Sequence, residues 1–591
     1  MTSVRKSKKK PMSLEERKRK LAAAKKSREE RKFRSSVKDI FIGSGFSYIT
    51  SENKEFIFEV QEGSRTTELD GIFVYENVVV IVEDTCTNSP STHLSKKQII
   101  FDLALRNKNQ FIDCLKNNIP EFKQYCDKVI YDNNHYILKT LYFSMHPVDS
   151  EYVESASRIG IKVIERALTN YFYALVKNIA SSAKYELLKF LEIPYSSLGC
   201  NTLSGGSSGV FSSYKGFLLP EANSSYPNGF KVVSFYVDPA SLLKKSFVLR
   251  KNSWITPNLS YQRILDMRKI KLMRKYLSDN ERVYLGNIIA TLPSSTKIRD
   301  INTLDQLTPD QQGEVKPIEI TLPDQYNVVG LIDGQHRVYS YHEGSDLYED
   351  RIGKLRRKQN LLVTGIIYPD HISSHDRILF EAKLFLEINS KQTSVKSALI
   401  QEIEVIVNPY SSTAIAKSVL TQLARKGALK DKLEEHIFDT VNKLKVSSIV
   451  SYGLKPLTKK DGQDSLFSIW SEEEKKKNIL AQQSSDDLQD YIDFCVTEIN
   501  LILNAVKISF SEGWQVGHEK KILTPTSING FLKCLRLIIE NNDERSLNFY
   551  KAKLQNIAAF PFDNYKSSHW NQLGIDIYKQ FINDSLPSSN Q

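Results

Sequence analysis

The sequence predicts a multidomain α/β (α+β) protein, and three observations carry that expectation. The chain has 591 residues, too many for one ordinary core and enough for about three domains. Two stretches, 68–85 and 328–341, bring short apolar runs to tight turns in the manner of sheet-building segments. After Lys443 apolar residues recur at helical spacing, most clearly over Leu488 to Ile508 and Thr526 to Asn541.

Composition narrows the class. A 41 % hydrophobic content suits packed globular domains, and no apolar run approaches the length of a membrane span. A protein without membrane contact is expected. Six cysteines (Cys86, Cys114, Cys126, Cys200, Cys495, Cys534) lie far apart with no C-x-x-C pair. That spacing argues against a zinc ribbon or a disulfide scaffold and leads to the expectation of reduced thiols in a cytoplasmic protein. The N-terminus has charge but no apolar h-region, so it does not read as a secretory signal.

The net charge of +12 is unevenly placed. Residues 1–40 hold sixteen Lys or Arg against five Asp or Glu, which leaves 65 against 64 in the remainder. The basicity is an appendage. It reads as a mobile basic arm, 1–37, that either grips a DNA or RNA backbone through counterion release or serves as a solvated tail.

A first domain is expected over 38–195. Glu55 to Val60 reads as a strand; then Glu68 to Tyr75 and Val78 to Thr85 form a hairpin about the Glu76-Asn77 turn. Asp70 falls at the start of one strand and Glu83 at the end of its partner, so antiparallel pairing brings the two carboxylates together. Two adjacent carboxylates suit Mg²⁺, which takes oxygen ligands, polarises a phosphate and lowers the pKa of an attacking water. A helix is expected over Leu94 to Leu115, a strand within Val129 to Met145, and an amphipathic helix over Ile161 to Ile179. The pattern resembles the PD-(D/E)xK restriction-endonuclease-like core: an acid, a hairpin, then Glu-x-Lys. Here the element is Glu83-Asp84-Thr85, without the lysine that would orient the water. Lys96 or Lys97, near the start of the following helix, is the expected substitute. Three readings stay open: an active metal-dependent endonuclease, an inactive relative kept for binding, and an ordinary hairpin with charged ends.

Residues 196–230 read as a linker, because Asn201 to Asn228 is rich in Ser, Gly and Asn and breaks all periodicity. No Lys-Ser or Lys-Thr follows Gly205 to Gly209, so a phosphate loop is not indicated.

The next domain, 231–442, is built around Val328 to Tyr341. A buried strand runs into Asp333-Gly334-Gln335-His336-Arg337 and then into a helix. A first helical turn offers unpaired N–H groups and the positive end of the macrodipole, Gly334 lets backbone approach a ligand, and Arg337 adds a bidentate donor. On that reading Asp333 holds a metal ion or a sugar hydroxyl, and His336 donates to phosphate or moves a proton. The other reading has Asp333 capping the helix, His336 half-buried and Arg337 paired with a nearby carboxylate.

These five residues are the signature of the DGQHR-domain family, which includes the DndB proteins associated with DNA phosphorothioation, and the chain resembles that family from roughly Lys231 to Asn541. Tyr261-Gln262-Arg263 and the basic segment Ile264 to Leu277, with the strand-like Gly286 to Leu292, are similar to its N-terminal block. Ala382 to Leu399 is similar to its second block, and Trp514 to Ile539 to its C-terminal one. The resemblance implies a ParB/sulfiredoxin-like fold in which Asp333, Gly334, Gln335, His336 and Arg337, with Asn389 close by, bind a nucleotide or phosphate. Sulfiredoxin has a reactive cysteine directly before its His-Arg; Gln335 stands there, so thiol chemistry is not expected.

The helical region 443–591 completes that module. Lys520, Lys521 and Thr524 are candidates for phosphate contact, with Thr526 expected as a helix cap. Asp461-Gly462-Gln463 copies part of the motif, but Asp464 replaces the histidine. His371 and His375, four apart without a third ligand, read as surface histidines. Together the two resemblances imply a DNA-binding protein of a prokaryotic DNA modification or defence system. Mg²⁺, a nucleoside triphosphate and other proteins of such an operon are its expected cofactors and partners. The alternatives are a non-enzymatic DndB-like regulator and a nucleotide hydrolase.

Overall fold

The computed structural model describes residues 14–51, 54–61, 63–199, 212–248, 265–307, 313–389, 397–434 and 443–583. It is mixed α/β, with two large sheets in the first part of the chain and helices after residue 371. The chain divides into two compact units: 1–248 with 264–370, and 249–263 with 371–591.

The first unit opens with α1 (Leu14–Gly43), 30 residues long. The expectation of a mobile arm is corrected here. Phe33, Val37, Ile40 and Phe41 are buried, and Phe41 stacks on Phe73 with ring centroids 4.4 Å apart. The second half of the helix is therefore anchored in a core. The basic half continues from it as helix, with Lys20, Lys25, Lys26 and Arg28 exposed.

A five-stranded sheet follows, in the order β1 (Ser47–Ile49), β4 (Gly71–Tyr75), β5 (Val78–Thr85), β6 (Ile137–Ser144), β7 (Ile161–Glu165). The β1, β4 and β5 strands are antiparallel, while β6 and β7 join in parallel. Every residue of β5, Val-Val-Val-Ile-Val-Glu-Asp-Thr, is buried, as a central strand covered on both faces requires. Helices α2 (Pro90–Arg106), α3 (Lys108–Asn118) and α4 (Pro120–Val129) supply the covering of Ile72, Val74, Val79 and Ile81. A separate hairpin, β2 (Phe56–Val60) with β3 (Gly63–Thr67), sets Phe58 edge-on to Phe111.

Two local expectations are corrected. One helix over Leu94 to Leu115 is two, α2 and α3, because the backbone leaves the helical region at Asn107 (φ −109°, ψ 44°), whose side chain also donates to the Leu103 carbonyl at 3.1 Å. The helical period read over Ile161 to Ile179 conceals a strand: Ile161–Glu165 pairs with β6, and only Arg166–Ile179 is helix. A short apolar run does not distinguish the two until a partner strand is present.

An eight-stranded sheet completes the unit. Its order is β10 (Ser246–Val248), β14 (Val329–Asp333), β11 (Ile288–Leu292), β15 (Leu361–Ile367), β9 (Lys231–Val237), β8 (Ser212–Leu219), β13 (Lys316–Leu322), β12 (Lys297–Asp300). The β8 strand overturns part of the linker reading, since it pairs with β9 and β13 on its two sides. Gly216 makes this pairing feasible: a Cβ there would lie 2.2 Å from the Ser234 carbonyl oxygen. Gly205 to Gly209 lie outside the described residues, as do Tyr261, Gln262 and Arg263. The two sheets are joined through Glu343, whose carboxylate accepts from the Tyr185 hydroxyl at 3.0 Å and pairs with Lys184.

The second unit is helical. The helices Ser485–Ser509 and Pro525–Glu540 bury Tyr491, Cys495, Ile499, Phe531, Cys534 and Leu535 in one core. The cap of the second is Thr524, which accepts from the Ser527 N–H at 3.1 Å, and not Thr526, because Pro525 occupies the first helical position. Asp464, which stands where the motif has histidine, pairs with Arg536 and Lys459, a structural role. His371 and His375 are both exposed.

Candidate active site at the end of the β4–β5 hairpin

The hairpin register sets the site. Gly71 pairs with Val82, so Asp70 and Glu83 are the next residues on each strand, and the Asp84 N–H donates to the Asp70 carboxylate at 2.8 Å. Glu83 is 3 % exposed and Asp84 7 %. Burial first, then the neighbouring Asp70 charge, pushes the Glu83 carboxyl up to about 8, with Lys97 opposing both. The acids face one another with too little compensating cation.

Pro90 starts α2 so that one of its faces crosses the strand ends. Lys97 reaches Glu83 with Nζ 2.9 Å from Oε2, and the same Nζ donates to the Glu68 carbonyl at 3.1 Å. Lys96, one residue earlier, lies on a different side of the helix and forms no such pair. Of the two expected substitutes for the missing lysine, the helix brings in Lys97. Two residues that sequence reasoning missed also arrive here. His93, one turn before Lys97, sets Nε2 3.6 Å from Glu83 Oε1 and Nδ1 3.0 Å from the Tyr142 hydroxyl. That hydroxyl donates to the Pro90 carbonyl at 2.9 Å, so Nδ1–H of neutral His93 donates to it and the Nε2 lone pair faces Glu83. Burial and Lys97 lower the His93 pKa, which favours that neutral form. Arg34 comes from α1, with Nη1 3.2 Å from Asp84 Oδ1. A spacing of four between His93 and Lys97 was the signal in the sequence for the first; for Arg34, more than thirty residues upstream, there was none.

The second candidate turn is tighter. Gly334, at φ +92°, links β14 to the helix Gln335–Tyr339. Arg337 folds back: Nη2 donates to the Asn287 carbonyl at 2.6 Å and to Asp333 at 3.2 Å, with 24 % of the side chain exposed. His336 accepts from the Asp266 N–H at 3.1 Å. Gln335 is buried, and neither of its amide atoms has a hydrogen-bond partner among the described residues. Asp333, Gly334 and Arg337 thus come together as a self-paired turn. Asn389 ends the helix Ser374–Asn389 in the other unit, and its side chain lies outside the described ones. Of the C-terminal candidates, Lys520 donates to the Ala558 carbonyl at 2.9 Å.

No family model, curated protein or solved structure matches this chain. The chemistry therefore rests on the geometry. Among the described residues no three His, Cys, Asp or Glu side chains gather as a ready metal cage. Mg²⁺ does not need one, since it is commonly held by one or two carboxylates together with waters and substrate phosphates. The carboxylates of Asp70 and Glu83, underneutralised and side by side, fit that donor set.

Proposed function

We propose that the chain is a DNA-directed, metal-dependent phosphodiesterase of a prokaryotic modification or defence system. The observation that carries this reading is the meeting of Asp70, Glu83 and Lys97 at one strand end. Acid, hairpin, acid and ammonium are the parts named by the restriction-endonuclease resemblance, with the lysine supplied by α2 in place of position 85.

Asp70 and Glu83 would hold a divalent cation, which would supply Lewis-acid polarisation of a phosphate and lower the pKa of an attacking water. The protein's own groups do the rest. Lys97, held by the Glu83 carboxylate and the Glu68 carbonyl, is a fixed ammonium beside the reacting phosphate. Arg34 adds a guanidinium at the rim, and the exposed lysines and arginines of α1 run on from it as a track for the nucleic-acid backbone.

The test is supercoiled plasmid with Mg²⁺ or Mn²⁺, with and without ATP, GTP or CTP. Wild-type protein nicks or linearises the plasmid. Asp70→Ala and Glu83→Ala abolish cleavage, Lys97→Met slows it by about a hundredfold or more, and Lys96→Ala leaves it intact. One observation favours a second reading. Lys97 already pairs with Glu83, as it would in an inert fold retained by a DndB-like regulator. DNA binding without cleavage under every condition selects that reading. Nucleotide turnover lost on Arg337→Ala assigns a nucleotide to the Asp333–Arg337 turn.

A further inference from the structure

One face of the eight-stranded sheet is left open at one end, and its residues are of an unexpected kind. Cross-strand partners form a continuous row: Pro317 with Phe217, Phe217 with Ser234, Ser234 with Thr364, Thr364 with Ile289, and Ile289 with Asp333. Directly paired residues project to the same face. The adjoining row holds Arg299 with Glu319, Glu319 with Lys215, and Tyr236 with Leu362. The opposite face carries Val233, Phe235, Val237, Val363, Ile318 and Ile320, all buried. Simple alternation would leave polar residues on the open side. Instead Phe217 is 56 % exposed and Tyr236 61 %.

These rings are neighbours. Gly216 faces Phe235, so one step along each antiparallel strand sets Tyr236 beside Lys215 and diagonal to Phe217, at a separation of about 7–8 Å. Around them stand Lys215 and Lys297, both exposed, and the half-buried Arg299, with Glu319 as the acid on these four strands' open face among the described residues. Ser213, Ser234 and Thr364 add hydroxyl groups to the same rows. Two adjacent aromatic faces among cations and hydroxyls suit a polyanion that also presents flat π-surfaces.

We infer that this face binds single-stranded nucleic acid, with successive bases on Phe217 and Tyr236 and the phosphates along Lys215, Lys297 and Arg299. A duplex keeps its base faces stacked inside and offers nothing to these rings. An apolar protein partner would desolvate these cationic side chains without offering them counter-charges. The inference rests on the nucleic-acid reading above and names the form of the strand; it does not need the Asp70 site to cut.

The experiment uses full-length protein carrying Asp70→Ala, with a fluorescein-labelled oligothymidylate and a blunt duplex of equal length, read by fluorescence anisotropy. The oligothymidylate binds, and Phe217→Ala and Tyr236→Ala each weaken it about tenfold, while duplex affinity is unchanged. Tyr236→Trp retains binding, and its fluorescence is quenched by the oligonucleotide. Circular dichroism melts confirm folding, which loss of an exposed ring leaves intact. Unchanged affinity in the double alanine variant, or no single-strand binding at all, overturns the inference. So does sedimentation showing a dimer that the same variant dissolves, because the face would then join two copies. Plasmid cleavage by the wild type is scored separately, so ring-dependent binding without cleavage removes the nuclease reading alone.

Discussion

Glu186 shows what burial alone does to an acid. It lies on the helix Lys184–Phe190, accepts a hydrogen bond from the Tyr171 hydroxyl, and burial pushes its carboxyl up to about 8. A folded pKa above the unfolded one means that the folded chain keeps a proton the unfolded chain releases. Stability therefore falls as pH rises from the ordinary carboxylate range to about 8, then levels. Glu186→Gln removes that slope. Urea midpoints at about pH 5 and about pH 9 then show the variant gaining a few kcal/mol on the wild type at the higher pH; parallel behaviour at both assigns the slope elsewhere. Glu83 is raised in the same direction, by burial and then by the neighbouring Asp70 charge, with Lys97 opposing both. Asp70 and Glu83 were legible as a pair because hairpin register follows from a two-residue turn. The choice of Lys97 over Lys96 was not, because it depends on the rotation of α2 about its axis over the strand ends.

At the scale of elements, the helix Met267–Asn280 illustrates how a base becomes structural. A basic amphipathic pattern does not say which of its cations turns inward. Here Arg274 is fully buried, donates to the Ser340 and His342 carbonyls, and pairs with Asp346 at 2.8 Å and Glu349 at 3.1 Å. It ties that helix to the segment after the Asp333–Arg337 turn, where Arg356 shares Glu349. Burial first, and then its charge, depress His342 to about 4. Arg274→Met leaves two carboxylates without their buried partner and is expected to cost about 3–5 kcal/mol in urea denaturation. The next residue is the control: Lys275, exposed and paired with Asp279 within the helix, leaves the urea midpoint essentially unmoved when replaced by Met. Elements with strong periodicity, such as Ser485–Ser509 and Pro525–Glu540, were legible in advance. The β7 and β8 strands were not, since one hid in a helical period and the other in polar composition.

For the whole molecule, charge placement matters more than net charge. With residues 41–591 near neutrality, affinity for duplex DNA is expected to reside largely in α1. Replacing Lys20, Lys25, Lys26, Arg28, Arg31 and Lys32 with Gln lowers duplex affinity. It also flattens the slope of log affinity against log salt by about 0.9 for each phosphate no longer neutralised, measured by anisotropy from low to moderate salt. A slope unchanged by these substitutions removes α1 from the proposed nucleic-acid contact. Because the anchored half of α1 carries Arg34 to Asp84, the same helix holds both the exposed charge and a cation beside the buried acids.

The linear sequence alone determined the mixed α/β class, the hairpin with its facing acids, the strand and turn at Asp333–Arg337, and the helical C-terminal region. Each follows from local periodicity and turn chemistry, which act over a few neighbouring residues. Tertiary structure decided the rest: β8 as an interior strand, Lys97 and Arg34 at the acids, Arg337 turned back on Asp333, and an aromatic pair exposed on a sheet face. Those outcomes depend on which distant segments pack together, and burial, charge pairing and exposure exist only once they have.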